Sequence, residues 1–132
     1  MIAEAEARRS TAVSLEGARI LVVEDEALIA LSIEQTLRDF GCTVVALAMH
    51  IDDALLIAQS GDVDAAMLDV NVGGREVFPV ADVLIRRRIP VLFATGYGAE
   101  ALRSDLRGRP IIRKPFQARE LRQALERALS SR

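Results

Sequence analysis

Five side chains in this sequence have the chemistry and the order to act together. Glu24 and Asp25 follow the apolar run Ile20-Leu21-Val22-Val23, and Asp69 follows Ala65-Ala66-Met67-Leu68. Thr95 follows Val91-Leu92-Phe93-Ala94, and Lys114 closes Pro110-Ile111-Ile112-Arg113. Short continuous apolar runs read as strands buried on both faces, as in the middle of a parallel sheet. In such a sheet all these strand ends lie along one edge, where open α/β sheets bind their ligands. Three carboxylates gathered there repel one another unless a hard cation shares the site, and oxygen-only ligands favour Mg²⁺. One ammonium and one hydroxyl beside them suit a phosphoryl group, the cations neutralising its oxygens and the hydroxyl donating a hydrogen bond. The Asp69 carboxylate can itself be the nucleophile and carry the phosphoryl group as an acyl phosphate.

Lys114 stands out on composition as well. Of 17 basic residues it is the only lysine. In a chain that otherwise uses arginine, the single ammonium marks a place where a planar guanidinium would not fit.

The elements that must position these groups follow in order. Arg19–Glu24 reads as the first strand, and Ile29, Ile33, Leu37 and Phe40 give a helix over 27–40 that Gly41 closes. Thr43–Leu47 is a β-branched strand, and Ile51, Ala54, Leu55 and Ala58 share one helical face that stops at Gly61. Asp64–Asp69 is the third strand. Val77, Val80, Ala81, Leu84 and Ile85 give a third helix whose regular turns begin close to Pro79, with Arg86-Arg87-Arg88 as a solvated end. Pro90–Thr95 is the fourth strand. Residues 98–106, between glycines, form at most a short helix, and Pro110–Arg113 is the fifth strand. The last helix places Leu121, Ala124, Leu125, Ala128 and Leu129 on one face. Five strands alternating with five helices make a single doubly wound parallel α/β domain. Residues 1–17 have no stable period and are expected as a flexible N-terminal tail, with the domain over 18–132.

Composition narrows the function classes. Apolar residues make up 51% and charged residues 27%, as in ordinary globular domains. No apolar run approaches the roughly 18 residues of a membrane span, and the start lacks the basic and apolar regions of a secretory leader. The lone Cys42 forms no internal disulfide and suits a reducing compartment, so a cytoplasmic location is expected. The net charge of −2 conceals an acidic first half and a basic second half. The basic residues are dispersed and stacking aromatics are scarce, which argues against nucleic acid as a partner. Cys42 reads as a core filler and His50 as a surface residue at a helix start.

In its five strand-end positions, taken in order, the chain resembles the receiver domains of bacterial two-component response regulators from about Ala18 to Leu129. The resemblance implies a flavodoxin-like (βα)5 fold with strand order 2-1-3-4-5. It implies that Asp69 is the phosphoacceptor, that Asp25, Asp69 and the Asn71 main-chain carbonyl bind Mg²⁺ directly, and that Glu24 acts on the ion through water. Thr95 would be the switch hydroxyl, and Lys114, with a cis bond to Pro115, would pair with the phosphoryl group. The implied partners are a sensor histidine kinase or phosphotransfer protein, and a downstream protein reached through the face of the fourth helix, fifth strand and last helix. Such a chain is a phosphoacceptor that assists its own phosphorylation and dephosphorylation rather than an enzyme acting on separate substrates. It has no membrane or nucleic-acid partner.

Three departures from the pattern are visible. The first acid is Glu24 where Asp is commoner. The usual Met-Pro after the phosphoacceptor is replaced by Val72-Gly73-Gly74, expected as a more flexible loop. Ile111 stands where an aromatic switch residue is usual. Phe93-Ala94-Thr95-Gly96-Tyr97-Gly98 resembles a subgroup of stand-alone alphaproteobacterial receivers with a Phe-Ala-Thr-Gly signature, in which Tyr97 would replace the missing aromatic or shield the acyl phosphate. The rival readings are a receiver cut from a hybrid kinase or longer regulator, a phosphorylation-independent scaffold, and a flavodoxin-like cofactor binder. The last needs a phosphate-cradling loop after the first strand, and the acidic Glu24-Asp25-Glu26 stands there instead.

Overall fold

A computed structural model describes residues 14–130. Five strands form one parallel sheet: β1 (Arg19–Val23), β2 (Thr43–Ala48), β3 (Ala65–Asp69), β4 (Val91–Thr95) and β5 (Ile111–Arg113), in the order β2-β1-β3-β4-β5. This is the expected order, and its reversal at β1/β3 opens the edge where the chemistry was placed. The crossovers are α1 (Ala27–Asp39), α2 (Ile51–Ser60) and α3 (Phe78–Arg86), and α4 (Ala118–Ser130) ends the described chain. Alternate strand residues point to opposite faces. Ile20, Val22, Met67, Leu92 and Ile112 meet α1 and α4, while Leu21, Val23, Leu68 and Phe93 meet α2 and α3. Strands β3 and β4 are buried at every residue, as their unbroken apolar runs required. No helix among the described residues is long and apolar enough to cross a membrane.

The fourth crossover departs from five regular helices. In place of a helix over 98–106 the chain makes two single 3-10 turns, Ala99–Ala101 and Ser104–Leu106, separated by the extended residues Leu102 and Arg103. A helix this short gains too little from propagation to offset nucleation, and tertiary contacts win instead. Leu102 and Leu106 are buried in the α2/α3 layer. Arg103 donates two hydrogen bonds to Asp82 of α3, at 2.7 and 3.0 Å, and two to Asp105. Its guanidinium also lies 5.8 Å from the Phe78 ring centroid. The face expected from a fourth helix, β5 and the last helix is therefore built from these turns, β5 and α4.

The Gly73-Gly74 segment is a tight hairpin and not a flexible loop. Asn71–Val72 and Arg75–Glu76 pair antiparallel, Asn71 opposite Glu76, around glycines at φ +59° and +80°. Two central residues at positive φ define the two-residue turn whose twist matches its strands. Arg75 pairs with Asp52 on α2 at 3.1 Å, holding the hairpin against the sheet layer.

Of the tail expected over 1–17, residues 1–13 lie outside the described residues, and 14–17 are folded. Leu15 is buried in the α1/α4 layer, and the Gly17 N–H donates to the Gly41 carbonyl at 2.8 Å. Arg87, expected at a solvated helix end, donates to the Ala58 and Gly61 carbonyls and so closes the C-terminus of α2. Pro79 sits in the first turn of α3, where its missing N–H is tolerated.

Candidate functional site

At the end of β1 the Glu24 N–H donates to the Ala48 carbonyl of β2 at 3.0 Å, which turns the Glu24 side chain inward. Only 2% of Glu24 is exposed. One carboxylate oxygen accepts from the Glu26 N–H at 3.2 Å, and the other accepts from Lys114 Nζ at 2.8 Å. Burial pushes the Glu24 carboxyl above its ordinary range, the lysine bond offsets part of that, and the charge of Asp69 adds to it. Asp69, last residue of β3 and buried, accepts from the same Lys114 Nζ at 3.0 Å. Asp25, half-buried, accepts the Gly73 N–H at 2.9 Å, which ties the hairpin tip to the acidic pair. One carboxylate oxygen from each of Glu24, Asp25 and Asp69 lies within 4.8 Å of the others.

The basic side of the site comes from β4 and β5. The Lys114 N–H donates to the Thr95 carbonyl at 2.7 Å, and Lys114 is joined to Pro115 by a cis bond, as expected. Burial opposes the charge on Lys114, but hydrogen bonds from its ammonium to Glu24 and Asp69 outweigh that and hold it above the ordinary lysine range. Thr95 is 3% exposed, and its hydroxyl oxygen accepts the Tyr97 N–H at 3.1 Å. Asp69, Asn71, Glu76, Thr95 and Tyr97 share the walls of one open cavity of about 260 Å³.

The sequence-predicted residues therefore converge, with two qualifications. Tyr97 lines the cavity but is 71% exposed, so its ring is not packed into the site. Ile111 is half-buried against the α2/α3 layer, on the face of β5 opposite Ile112. Two features escaped the sequence. Glu76 enters the cavity only because the hairpin sets it opposite Asn71, and the two-glycine turn was the available signal. An apolar groove of about 510 Å³ runs between α1 and the turn into α4, lined by Leu28, Ile29, Thr36, Lys114, Pro115 and Phe116.

The donor set fits a hard divalent cation. All three groups offer carboxylate oxygen, and one ammonium leaves two of the three negative charges unmatched.

A parallel sheet in this order, with acids at the ends of β1 and β3 and a hydroxyl and an ammonium at the next two strands, defines a flavodoxin-like module with one polar cluster at a single sheet edge. A family model described as the response regulator receiver domain matches residues 20–126, and the chain belongs to that family, a component of two-component signalling. Among curated proteins it is similar to the transcriptional regulatory protein TcrA of Mycobacterium tuberculosis. The two are 39% identical over 125 residues, covering 89% of this chain and 48% of TcrA. The chain thus spans about half the length of the curated relatives it matches. Among solved structures it is similar to SdrG from Sphingomonas melonis Fr1, with 40% identity and a TM-score of 0.77, covering 89% of this chain and 99% of that one. The BeF3-activated conformation of SdrG, given as from Pseudomonas melonis Fr1, matches at 41% identity and TM-score 0.73, covering 84% and 95%.

Proposed function

We propose that this receiver accepts a phosphoryl group on Asp69 from the phosphohistidine of a sensor kinase or phosphotransfer protein. The observation that carries the reading is the shared lysine: Lys114 Nζ bridges Glu24 at 2.8 Å and Asp69 at 3.0 Å inside the acidic cluster. An Asp69 oxygen attacks phosphorus, the P–N bond of the donor breaks, and the imidazole leaves with the electron pair. Lys114 moves its donors from the carboxylates to the arriving phosphoryl oxygens. The Thr95 hydroxyl, which accepts from Tyr97 N–H, keeps its own proton to donate to the same group. Asp25 and Asp69 with the Asn71 carbonyl would hold Mg²⁺, Glu24 acting through water, and the ion supplies charge neutralisation at the phosphoryl oxygens. Similarity to SdrG, which has a BeF3-activated conformation, supports the same acceptor chemistry here.

The apolar groove beside Lys114 gives the donor a place to dock. Leu28 is 83% exposed at its rim, and an amphipathic donor helix would cover it while presenting its histidine to Asp69. Phosphorylation adds charge at the end of β3, beside Thr95 and Lys114, and alters the face of the 3-10 turns, β5 and α4, through which a protein partner reads the signal. The chain acts as a phosphoacceptor in the cytoplasm rather than as an enzyme on separate substrates.

The test is intact mass after incubation with acetyl phosphate and Mg²⁺. One phosphoryl adduct is expected, absent in Asp69→Ala and in a sample with chelator. No adduct, together with no Mg²⁺-dependent binding of beryllofluoride, would overturn the reading in favour of a phosphorylation-independent scaffold.

A further inference from the structure

Glu76 is a carboxylate in the phosphoacceptor cavity to which the chemistry above gives no role. It is exposed on the second strand of the hairpin, opposite Asn71, so the two side chains lie on the same side of the ribbon. Its carboxylate has no hydrogen-bond or ion-pair partner among the described residues. The other acids near Asp69 are engaged: Glu24 by Lys114 and Glu26, Asp25 by Gly73. The cavity it lines with Asp69 and Thr95 holds about 260 Å³ and is open to solvent. That is room for a phosphoryl group and several waters, each of which takes about 30 Å³. The hairpin itself is anchored at both ends of its turn, by the Gly73 bond to Asp25 and by the Arg75 pair with Asp52.

We propose that Glu76 orients and deprotonates the water that hydrolyses the acyl phosphate, and so sets how long the signal lasts. This rests on Asp69 being the phosphoacceptor. The water oxygen attacks phosphorus, its proton passes to the Glu76 carboxylate, and the bond between phosphorus and the Asp69 oxygen breaks. The electron pair returns to the Asp69 carboxylate, inorganic phosphate departs, and Glu76 releases its proton to solvent. A positioned base gives hundredfold effects or more in many reactions, but phosphoryl transfer through a loose transition state asks less of it, on the order of tenfold.

The test separates formation from decay. Wild type, Glu76→Gln, Glu76→Ala and Glu76→Asp are phosphorylated with acetyl phosphate and Mg²⁺, freed of donor, and followed by intact mass. All four are expected to form the adduct, and each decay is read from its own adduct after the donor is removed, so a change in the rate of capture does not enter. Decay is expected to slow about tenfold in Glu76→Gln and Glu76→Ala and to recover in Glu76→Asp. A merely structural role would give Gln, the closer match in shape, the wild-type rate and would leave Asp impaired. An adduct that decays equally in wild type and Glu76→Gln overturns the inference and leaves Asp69 as acceptor. Absence of an adduct in wild type removes both.

Discussion

The two sides of the sheet carry the two kinds of chemistry on different kinds of support. The acids come from β1 and β3, whose crossovers are the regular helices α1 and α2. Thr95 and Lys114 come from β4 and β5, joined by a crossover of two 3-10 turns held by two leucines and one arginine. Charge that must be held close against its own repulsion sits on the stiff side. Thr95 and Lys114, which under the proposed function shift toward an arriving phosphoryl group, sit at either end of the least regular segment. Stability and responsiveness are thus separated along one sheet.

The largest test of this contrast is in the core. Leu37 of α1 is fully buried, and Leu102 of the irregular crossover nearly so. Leu37→Ala should cost about 3–5 kcal/mol, whereas Leu102→Ala should cost about 2 kcal/mol, because a softer segment collapses onto the space left behind. Equal losses in urea melts would break the contrast.

Helix ends offer a second comparison. Helices α1 and α3 close with the same pair of bonds, Gly41 N–H to Arg38 with Cys42 N–H to Leu37, and Arg88 N–H to Ile85 with Ile89 N–H to Leu84. The left-handed residue is Gly41 at φ +90° in the first and Arg88 at φ +61° in the second. Gly41→Ala should destabilise by about 1–2 kcal/mol, since an added Cβ would also meet the Glu16 carboxylate. Arg88→Gly should stabilise by about 0.5–1 kcal/mol. Thermal melts with the same sign for both would show that something other than backbone conformation governs these ends.

The smallest effect concerns Arg103. Its hydrogen bonds hold the Asp82 and Asp105 carboxyls below their ordinary 3.8. A depressed carboxyl contributes stability above its unfolded value, and that contribution is lost as pH falls through the lower folded value. Arg103→Ala should therefore lower the melting temperature at pH 7, on the order of 2 °C for so exposed a cluster. The difference from wild type should close below about pH 3.8. A gap that persists in acid would assign the effect to stacking on Phe78 instead.

What could be read from the sequence divides along the same line. The apolar runs of β1, β3 and β4 are unbroken, so their polar final residues and the edge they share were legible without any contact being known. Residues 98–106 were not, because Leu102 and Leu106 have helical spacing while the deciding partner, Asp82, lies 21 residues before Arg103. Leu15 lies between Ser14 and Glu16 in a stretch without a stable period, so nothing in the pattern singles it out. The hairpin was legible in principle from Gly73-Gly74, but the register that brings Glu76 opposite Asn71 depends on both glycines taking positive φ.

The lysine that bridges the acids has a consequence for how the molecule comes into being. Lys114 meets Glu24 and Asp69 across 90 and 45 residues of chain, so the contact closes some of the longest loops in the domain. Contacts of such separation carry a high entropy of loop closure, which the pairing of the intervening strands lowers. A chain still emerging, or one with β5 detached, holds its acidic residues without their counter-charge. The acidic cluster gains its one ammonium only when β5 has joined the sheet.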